Sequence, residues 1–337
     1  QYSIHGPVTF VDKKRSRAYG VRCGWLEIGG SPYLSSLRMN QSQSWEEFRE
    51  ACNYSHIPGE NMVWADKEGT IGWQAVGIAP IRNTHSGLVP VLGDGNYEWD
   101  GYLPITDKPH VVNPSENFFA SANQNVTPAS YKHWNAIGFS WSDPYRGDRV
   151  SDVLSKNSTH KFTMQEMMDL QVDYHSLPSE KLIRMIDQTS LDKANQKYFE
   201  RLLTWNNKLT TTSVEATIYV NWERTIVREF HEKYVPENVK GLLNIQLFKI
   251  IKNLNKLPGK QRDNFLKNTF ISSVKELEVK FGKDLKNWRY GQKDFKHIKI
   301  KHPLQNIVND SIYNLISFKT YPRGGNAFTP GSSGSNL

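Results

Sequence analysis

The spacing of apolar residues along the chain changes near its middle. In the first part, apolar positions alternate with small or polar ones, as in GPVTFV at residues 6–11. Two further runs rich in β-branched and aromatic residues, within residues 60–82, flank the turn residues Asp66 to Gly69. A period of two is typical of half-buried strands, and a turn of this composition between two such runs predicts a β-hairpin. Residues 1–150 are therefore predicted to be rich in β-structure.

One helix is predicted inside this β-rich part. The stretch SWEEFREAC, residues 44–52, opens with Ser44 followed three positions later by Glu47, the spacing of a capping box. Trp45 and Phe48 lie three residues apart and so share one helical face. We expect this face to pack against the strands.

After about residue 150 the apolar period becomes about 3.6, which is typical of amphipathic helices. Four apolar residues recur at every fourth position: Ile218, Trp222, Ile226 and Phe230. Thr163 and Glu166 have the spacing of a second capping box. The chain is thus predicted to be α+β, with its internal boundary near Arg149 to Ser151.

Composition is that of a globular protein. Of 337 residues, 38% are hydrophobic and 23% charged, and no apolar run approaches the roughly 20 residues that a membrane span needs. We therefore expect no membrane span. The two cysteines, Cys23 and Cys52, are too few for a disulfide framework and leave the redox compartment open.

The net charge of +8 is concentrated in residues 233–301, where 15 Lys and 2 Arg stand against 6 Asp and Glu. These lysines are spread at intervals along amphipathic patterns and are not bunched with aromatic residues, which favours solvated helix faces over a nucleic-acid surface. No nucleic-acid partner is expected. The alternative is a non-catalytic binding module that uses residues 233–301 on an anionic partner.

Common metal and nucleophile motifs are missing from the sequence. Asp94, Asn96 and Glu98 alternate as in a calcium loop, but Trp99 and Ile105 stand where an EF-hand needs Gly and Glu. The ten histidines show no HExxH spacing, and there is no GxSxG or phosphate-binding loop. The pattern assigns no metal ligand and no cofactor.

Several separated segments together resemble the penicillin acylase family of N-terminal-nucleophile hydrolases. In order they are HGPV (5–8), ENMVWADKEGTIGWQAVGIAPIR (60–82), EWDGYLP (98–104), FFASANQN (118–125) and PYRGDRVSDVL (144–154). MQEMMDLQVDYHSLPSEKLI (164–183) resembles the family's helical region, and YPRGGNAFTPGS (321–332) its return towards the core. Each motif alone is weak, but their common order makes the resemblance specific.

The resemblance implies a fold and an activity. The fold is part of a four-layer αββα core in residues 1–150, with a helical region at 151–318 and a return segment at 319–337. The activity is hydrolysis of the amide bond of an N-acyl substrate through an acyl-enzyme on an N-terminal nucleophile. An α-amine has a pKa of about 7.7 to 8.0 and can act as the general base for that nucleophile, so no histidine motif is needed.

The resemblance also implies site residues. Asn123 matches the family's oxyanion-hole asparagine, delivered by FFASA as a buried strand, while Gln124 is its neighbour and not the donor. The alternative is a strand ending in a polar turn, because Asn and Pro favour turns. Arg149 matches the active-site arginine, whose charged fork can hold the asparagine. Its alternative role is a surface ion pair with Asp148 or Asp152, and Arg146 is a competing candidate.

The chain departs from the family pattern at its start. Residue 1 is Gln, and no position matches the family's nucleophile, so these residues are expected to be an interior piece of the catalytic chain that is inactive alone. The resemblance implies a small α chain as partner, and a periplasmic or secreted location. Calcium is a structural ion in many members, but its ligands here are not assigned. The resemblance does not distinguish among penicillins, acyl-homoserine lactones and other N-acyl compounds as the substrate.

Overall fold

The chain forms two compact units. One comprises residues 1–121 and 125–141, and the other residues 122–124 and 142–337. The computed structural model describes residues 1–27, 29–156, 159–186, 191–298, 302–317 and 320–331. The family-based boundaries at 150 and 318 stay predictions, and residues 318–319 and 332–337 of the predicted helical and return segments lie outside the described ranges.

The described residues of the first unit form two antiparallel sheets, two α-helices and short 3₁₀ turns. One sheet has the order β1-β2-β3, and the other β4-β5-β6. The elements are β1 (Tyr2–Ser3), β2 (Gly6–Asp12), β3 (Arg17–Gly20), α1 (Ser35–Met39), α2 (Trp45–Cys52), β4 (Asn61–Ala65), β5 (Ile71–Ala75) and β6 (His110–Val112). Both sheets lie within residues 1–150, and the assignment of these residues to one β-rich domain stays a prediction.

The predicted hairpin forms between β4 and β5. Asn61 pairs with Ala75 at the open end and Ala65 with Ile71 at the turn. The Oδ1 atom of Asp66 accepts a hydrogen bond from the Thr70 amide at 2.7 Å, and Gly69 takes a φ of +93°, which a residue with a side chain rarely adopts. The turn residues thus close the hairpin.

The predicted helix at residues 44–52 packs on this second sheet. Ser44 accepts a hydrogen bond from the Glu47 amide, as in a capping box, but the Glu47 carboxylate accepts from the Gln43 amide and not from Ser44. Trp45 and Phe48 are buried in a core with Met39, Ala51, Cys52, Val76 and Ile105. A methyl group on Gly72 of β5 would overlap the Trp45 ring, so this glycine lets the helix approach the strand closely.

The second unit is mainly helical. Its elements are α3 (Tyr145–Ser155), α4 (Met164–Gln171), α5 (Leu177–Met185), α6 (Lys193–Leu203), α7 (Val214–Tyr234), α8 (Leu247–Leu254), α9 (Gly259–Phe281), β7 (His297–Ile298), α10 (Asp310–Ile316) and β8 (Tyr321–Pro322). The predicted capping box at Thr163 and Glu166 is complete, with both reciprocal hydrogen bonds present.

Helices α7 and α9 form the centre of this unit. The four residues predicted to share a face of α7, from Ile218 to Phe230, are all buried. They pack with residues of α9 that include Leu266, Phe270 and Val274. The Trp222 ring meets the Phe270 ring edge to face at 5.4 Å, an arrangement that adds specific geometry to burial.

A buried carboxyl group links α7 to residues 320–331. Glu223 is only 4% exposed; its Oε2 atom accepts from the Tyr219 hydroxyl at 2.6 Å, and its Oε1 atom from the Asn326 side-chain amide at 3.2 Å. Burial raises the pKa of Glu223 to about 7, against the effect of these donors. Tyr290 adds a 2.7 Å hydrogen bond to the Gly325 carbonyl.

Most described lysines of the basic segment face solvent, although Lys296 is buried. Lys249, Lys252 and Lys256 on or just after α8, and Lys275 and Lys280 on α9, are all exposed. This placement agrees with the interpretation of solvated helix faces. In the part of the chain that the structure describes, no helix combines the length and apolarity needed to cross a membrane.

Replacing Glu223 by Gln should change how stability depends on pH. The folded-state pKa of about 7 lies above the unfolded value of about 4.3, so the folded protein holds an extra proton between these values, and its stability falls as pH rises through that window. The free energy of unfolding falls by about 4 kcal/mol over the whole window, since each pKa unit corresponds to about 1.4 kcal/mol. We expect Glu223→Gln to gain stability relative to wild type as pH rises from about 4.5 to above 7.

Urea unfolding at several pH values measures this difference. The exposed Glu200 of α6 provides a matched control, because Glu200→Gln removes the same charge without changing a buried group. Parallel pH curves for wild type and Glu223→Gln would show that Glu223 does not titrate on unfolding.

Candidate active site

Residues 118–121, which lead to Asn123, do not form the predicted buried strand. They are half-buried or exposed and have no regular secondary structure. Phe119 instead stacks on Trp73 of β5, with ring centroids 4.4 Å apart and planes 14° from parallel. Aromatic stacking on a buried ring can anchor a segment without strand hydrogen bonds. The strand prediction is therefore wrong for these residues, because Phe119 is held by its side chain.

Asn123 lies in a turn with a left-handed backbone. Its φ is +68°, a conformation that asparagine tolerates better than most residues. The Asn123 carbonyl oxygen accepts a hydrogen bond from the Ser142 amide at 2.9 Å. The side chain is exposed. Its role as an oxyanion donor stays a prediction; the chain bends at residues 122–124, but the strand that the alternative interpretation placed before a turn is absent there.

The side-chain amide of Asn123 is held by Arg146. The Nη2 atom of Arg146 donates to Asn123 Oδ1 at 2.8 Å. Arg146 is the second residue of α3, so the contact places the Asn123 amide by the first turn of that helix. Burial lowers the pKa of the Arg146 guanidinium, which nevertheless stays charged at neutral pH. The competing candidate arginine is thus the one that contacts Asn123.

Gln124, the residue after Asn123, packs on α3. Its Oε1 atom accepts from the Ala122 amide at 2.6 Å. Its side-chain amide lies where a β-carbon on Gly147 would be, so any residue larger than glycine would displace it. Gly147 is buried in the first turns of the helix. A glycine inside a helix costs roughly 1 kcal/mol relative to alanine, which close packing of this kind can offset.

Arg149 forms an ion pair with a residue that the sequence did not indicate. Its Nε atom donates to Asp173 Oδ2 at 2.7 Å, and both side chains are less than 20% exposed. The expected alternative partners, Asp148 and Asp152, form no such pair with Arg149 among the described residues. Asp173 also accepts from the His175 amide at 2.9 Å. Arg149 therefore fastens α3 to the segment that follows α4.

Two further carboxyl groups flank the start of α3. Asp143 accepts a hydrogen bond from the Phe248 amide at 2.7 Å, which satisfies a free donor at the beginning of α8. Burial raises the pKa of Asp143 and that of Asp148, with Lys181 opposing the shift at Asp148 and Asp152 adding to it. The Asp143 hydrogen bond ties the residues just before α3 to the start of α8.

Calcium binding stays a prediction from the family resemblance. Within the described ranges, no three His, Cys, Asp or Glu side chains come together so that they could hold a metal ion. Calcium prefers six to eight oxygen ligands, which can include backbone carbonyl groups and amide side chains as well as carboxylates.

Gly147 and Asp173 were not predicted from the sequence to be part of the site, although the sequence contains a signal for Gly147. The isolated glycine in YRGDRV, within an otherwise helical pattern, indicates a packing reason, and this is the contact of Gly147 with Gln124. Asp173 lies 24 residues after Arg149, and nothing in its spacing marks it as the partner.

Comparison with known proteins places this geometry in a family. The profile of the penicillin amidase family matches residues 1–337. The acyl-homoserine lactone acylase QuiP of Pseudomonas fluorescens is 27% identical over 218 residues, or 59% of this chain and 26% of that protein. QuiP of Pseudomonas putida is 30% identical over 253 residues, or 69% and 30% of the two chains. Penicillin G acylase of Escherichia coli is 26% identical over 152 residues, which are 45% of this chain and 17% of that protein.

A solved structure shows the same fold. The thermostable penicillin G acylase from Alcaligenes faecalis matches with a TM-score of 0.74 and 17% identity, over 96% of this chain and 65% of that one. This likeness confirms the predicted α+β fold class, with a helical region as well as the sheets. The aligned part is less than a third of each QuiP protein. Since the family profile spans residues 1–337, the chain belongs to the penicillin amidase family.

Proposed function

We propose that this chain is the part of an acylase that stabilises the oxyanion during hydrolysis of an N-acyl amide. The observation that carries the proposal is the Asn123 amide, held at 2.8 Å by Arg146 in a segment that matches the penicillin amidase family. A tetrahedral intermediate carries a negative oxygen and needs donors fixed in advance. An Asn NH₂ group is such a donor when its carbonyl oxygen is already held.

Arg149 has an organising role in this proposal. Its ion pair with Asp173 fastens the helix that carries Arg146, and so sets where the Asn123 amide lies. The nucleophile is a hydroxyl or thiol residue outside residues 1–337, activated by its own α-amine. A small α chain and export to the periplasm or outside the cell belong to the same proposal and rest on the family resemblance.

The substrate class follows from the relatives. Proteins similar to this chain are named as acyl-homoserine lactone acylases and as penicillin G acylases. Both substrates contain a secondary amide between an acyl group and a small polar nucleus. We propose an N-acyl compound of this kind, with acyl-homoserine lactones first because QuiP of Pseudomonas putida aligns over 69% of the chain and penicillin G acylase of Escherichia coli over 45%.

The complete protein that contains this segment should hydrolyse N-acyl amides, whereas residues 1–337 alone should not. The reason is that the expected nucleophile lies outside these residues. Release of homoserine lactone from N-acyl-homoserine lactones of several chain lengths, and of 6-aminopenicillanic acid from penicillin G, would measure both activities. Turnover by purified residues 1–337 would contradict the proposal, as would an inactive complete protein.

The same preparations test the rival function of an anion-binding module. That function predicts binding of residues 233–301 to polyanions such as heparin, with affinity that collapses as salt is added. Binding of this kind in a complete protein without hydrolysis would favour the rival.

Replacing Asn123 by Ala in the complete protein should lower kcat by roughly 10²- to 10³-fold, the usual loss for one oxyanion donor. KM should change much less, because the donor acts mainly on the transition state. Rates are normalised to correctly processed chain. Asn125→Ala is the matched control, since Asn125 is an exposed amide of the same segment whose side-chain oxygen accepts from the nearby Thr127 amide. Among the described residues, it forms no hydrogen bond with Asn123 or Arg146. Full activity of Asn123→Ala would refute the assignment of Asn123 as the oxyanion donor, but it would leave the proposed acylase activity of the protein intact.

A further inference from the structure

We propose that Arg146 is a positioning residue, which fixes the Asn123 amide so that its NH₂ group is directed at the substrate oxygen. The inference rests on the proposed function of Asn123. It gives Arg146 a task distinct from that of Arg149, the residue that matches the family's active-site arginine.

The hydrogen-bond chemistry of the pair determines which end of the amide is held. A guanidinium group can only donate, so the atom of Asn123 that faces Arg146 at 2.8 Å must be the carbonyl oxygen Oδ1. The NH₂ group then lies at the other end of the planar amide. Among the described residues, Asn123 makes this one side-chain hydrogen bond, so both N–H donors remain available for a ligand.

The backbone around Asn123 removes other freedom. The turn is fixed by the Ser142 amide on the Asn123 carbonyl, and Gln124 packs against Gly147 of α3. What remains is rotation of an exposed side chain about its own bonds. Arg146 stops this rotation, and a donor that is already ordered need not be ordered during the reaction.

The charge of Arg146 is also placed to strengthen the donor. Within the described ranges Arg146 has no carboxylate partner, whereas Arg149 is neutralised by Asp173 at 2.7 Å. An amide whose oxygen accepts from a cation is polarised, so its N–H groups donate more strongly. The positive end of the α3 dipole adds a field of the same sign.

The test is a double-mutant cycle in the complete, processed protein, with an N-acyl-homoserine lactone as substrate. Arg146→Met keeps the length and apolar stem of the side chain and removes its donors. We expect kcat to fall about 10- to 100-fold with little change in KM, the scale of one lost charge-assisted hydrogen bond. Arg146→Lys should recover part of the loss, because it restores one charged donor. In the Asn123→Ala background, Arg146→Met should cost less than about 2-fold, since the group it acts through is gone.

Two outcomes of the kinetic cycle would overturn the inference. One is an unchanged kcat in Arg146→Met when Asn123→Ala is impaired. The other is a loss that multiplies in full in the Asn123→Ala background, which would mean that Arg146 acts independently of Asn123. Retained activity in Asn123→Ala, by contrast, would remove the proposed function of Asn123 itself. Arg184→Met is a surface control, since Arg184 of α5 is 80% exposed and should leave activity unchanged.

A crystal structure of Arg146→Met in the complete protein gives a result that does not depend on turnover. The inference predicts that the Asn123 amide turns or becomes disordered while α3 keeps its place, because Arg149 still holds the helix. An Asn123 amide with the same orientation and order as in wild type would overturn the inference whatever the activity.

Discussion

The seating of residues 122–124 on the first turns of α3 is the constraint on which the candidate site depends. Backbone and side chain contribute separately to it. The Asn123 carbonyl oxygen accepts from the Ser142 amide, and Gln124 occupies the space that Gly147 leaves beside the helix. A left-handed turn then presents the Asn123 side chain to Arg146. Because each contact involves a different atom, the position and the orientation of the amide are fixed independently.

Two arginines on α3 separate positioning from anchoring. Arg149 is largely buried and its charge is neutralised by Asp173, so it holds the helix in place and adds little field beyond the pair. Arg146 lies one turn earlier, without a carboxylate partner among the described residues, and contacts the amide itself. A single arginine could not do both, because a guanidinium committed to a carboxylate has lost much of its power to polarise a neighbour. Within the short sequence YRGDRV, Arg146 contacts Asn123 and Arg149 anchors the helix through Asp173. Gly147, between them, lets Gln124 pack closely on the helix.

The sequence predicted the local structure well and the side-chain partners poorly, for physical reasons. The hairpin around Asp66, the capping box at Thr163 and the buried face of α7 depend on residues close in sequence, whose spacing determines their geometry. Arg149 and Asp173 meet only because α3 and the segment after α4 pack together, which no spacing rule reports. The apolar character of FFASA predicted a buried strand, but the segment is half-buried or exposed and Phe119 is held by stacking on Trp73, a contact that composition does not report.

The anchoring of α3 extends into the helical core. Asp173, which binds Arg149 through its side chain, also accepts the Gly331 amide at its carbonyl oxygen. Residues 325 and 326, a few positions earlier, are held by Tyr290 and by the buried Glu223 of α7. A buried carboxyl is costly, yet its partners lie on two segments far apart in sequence, so it fixes their register in a way that apolar contacts do not. Through these contacts α3, the helix that carries Arg146, is connected to the buried core around α7. Since a misplacement of about 1 Å is enough to weaken an oxyanion donor severely, such a support is what the proposed chemistry requires.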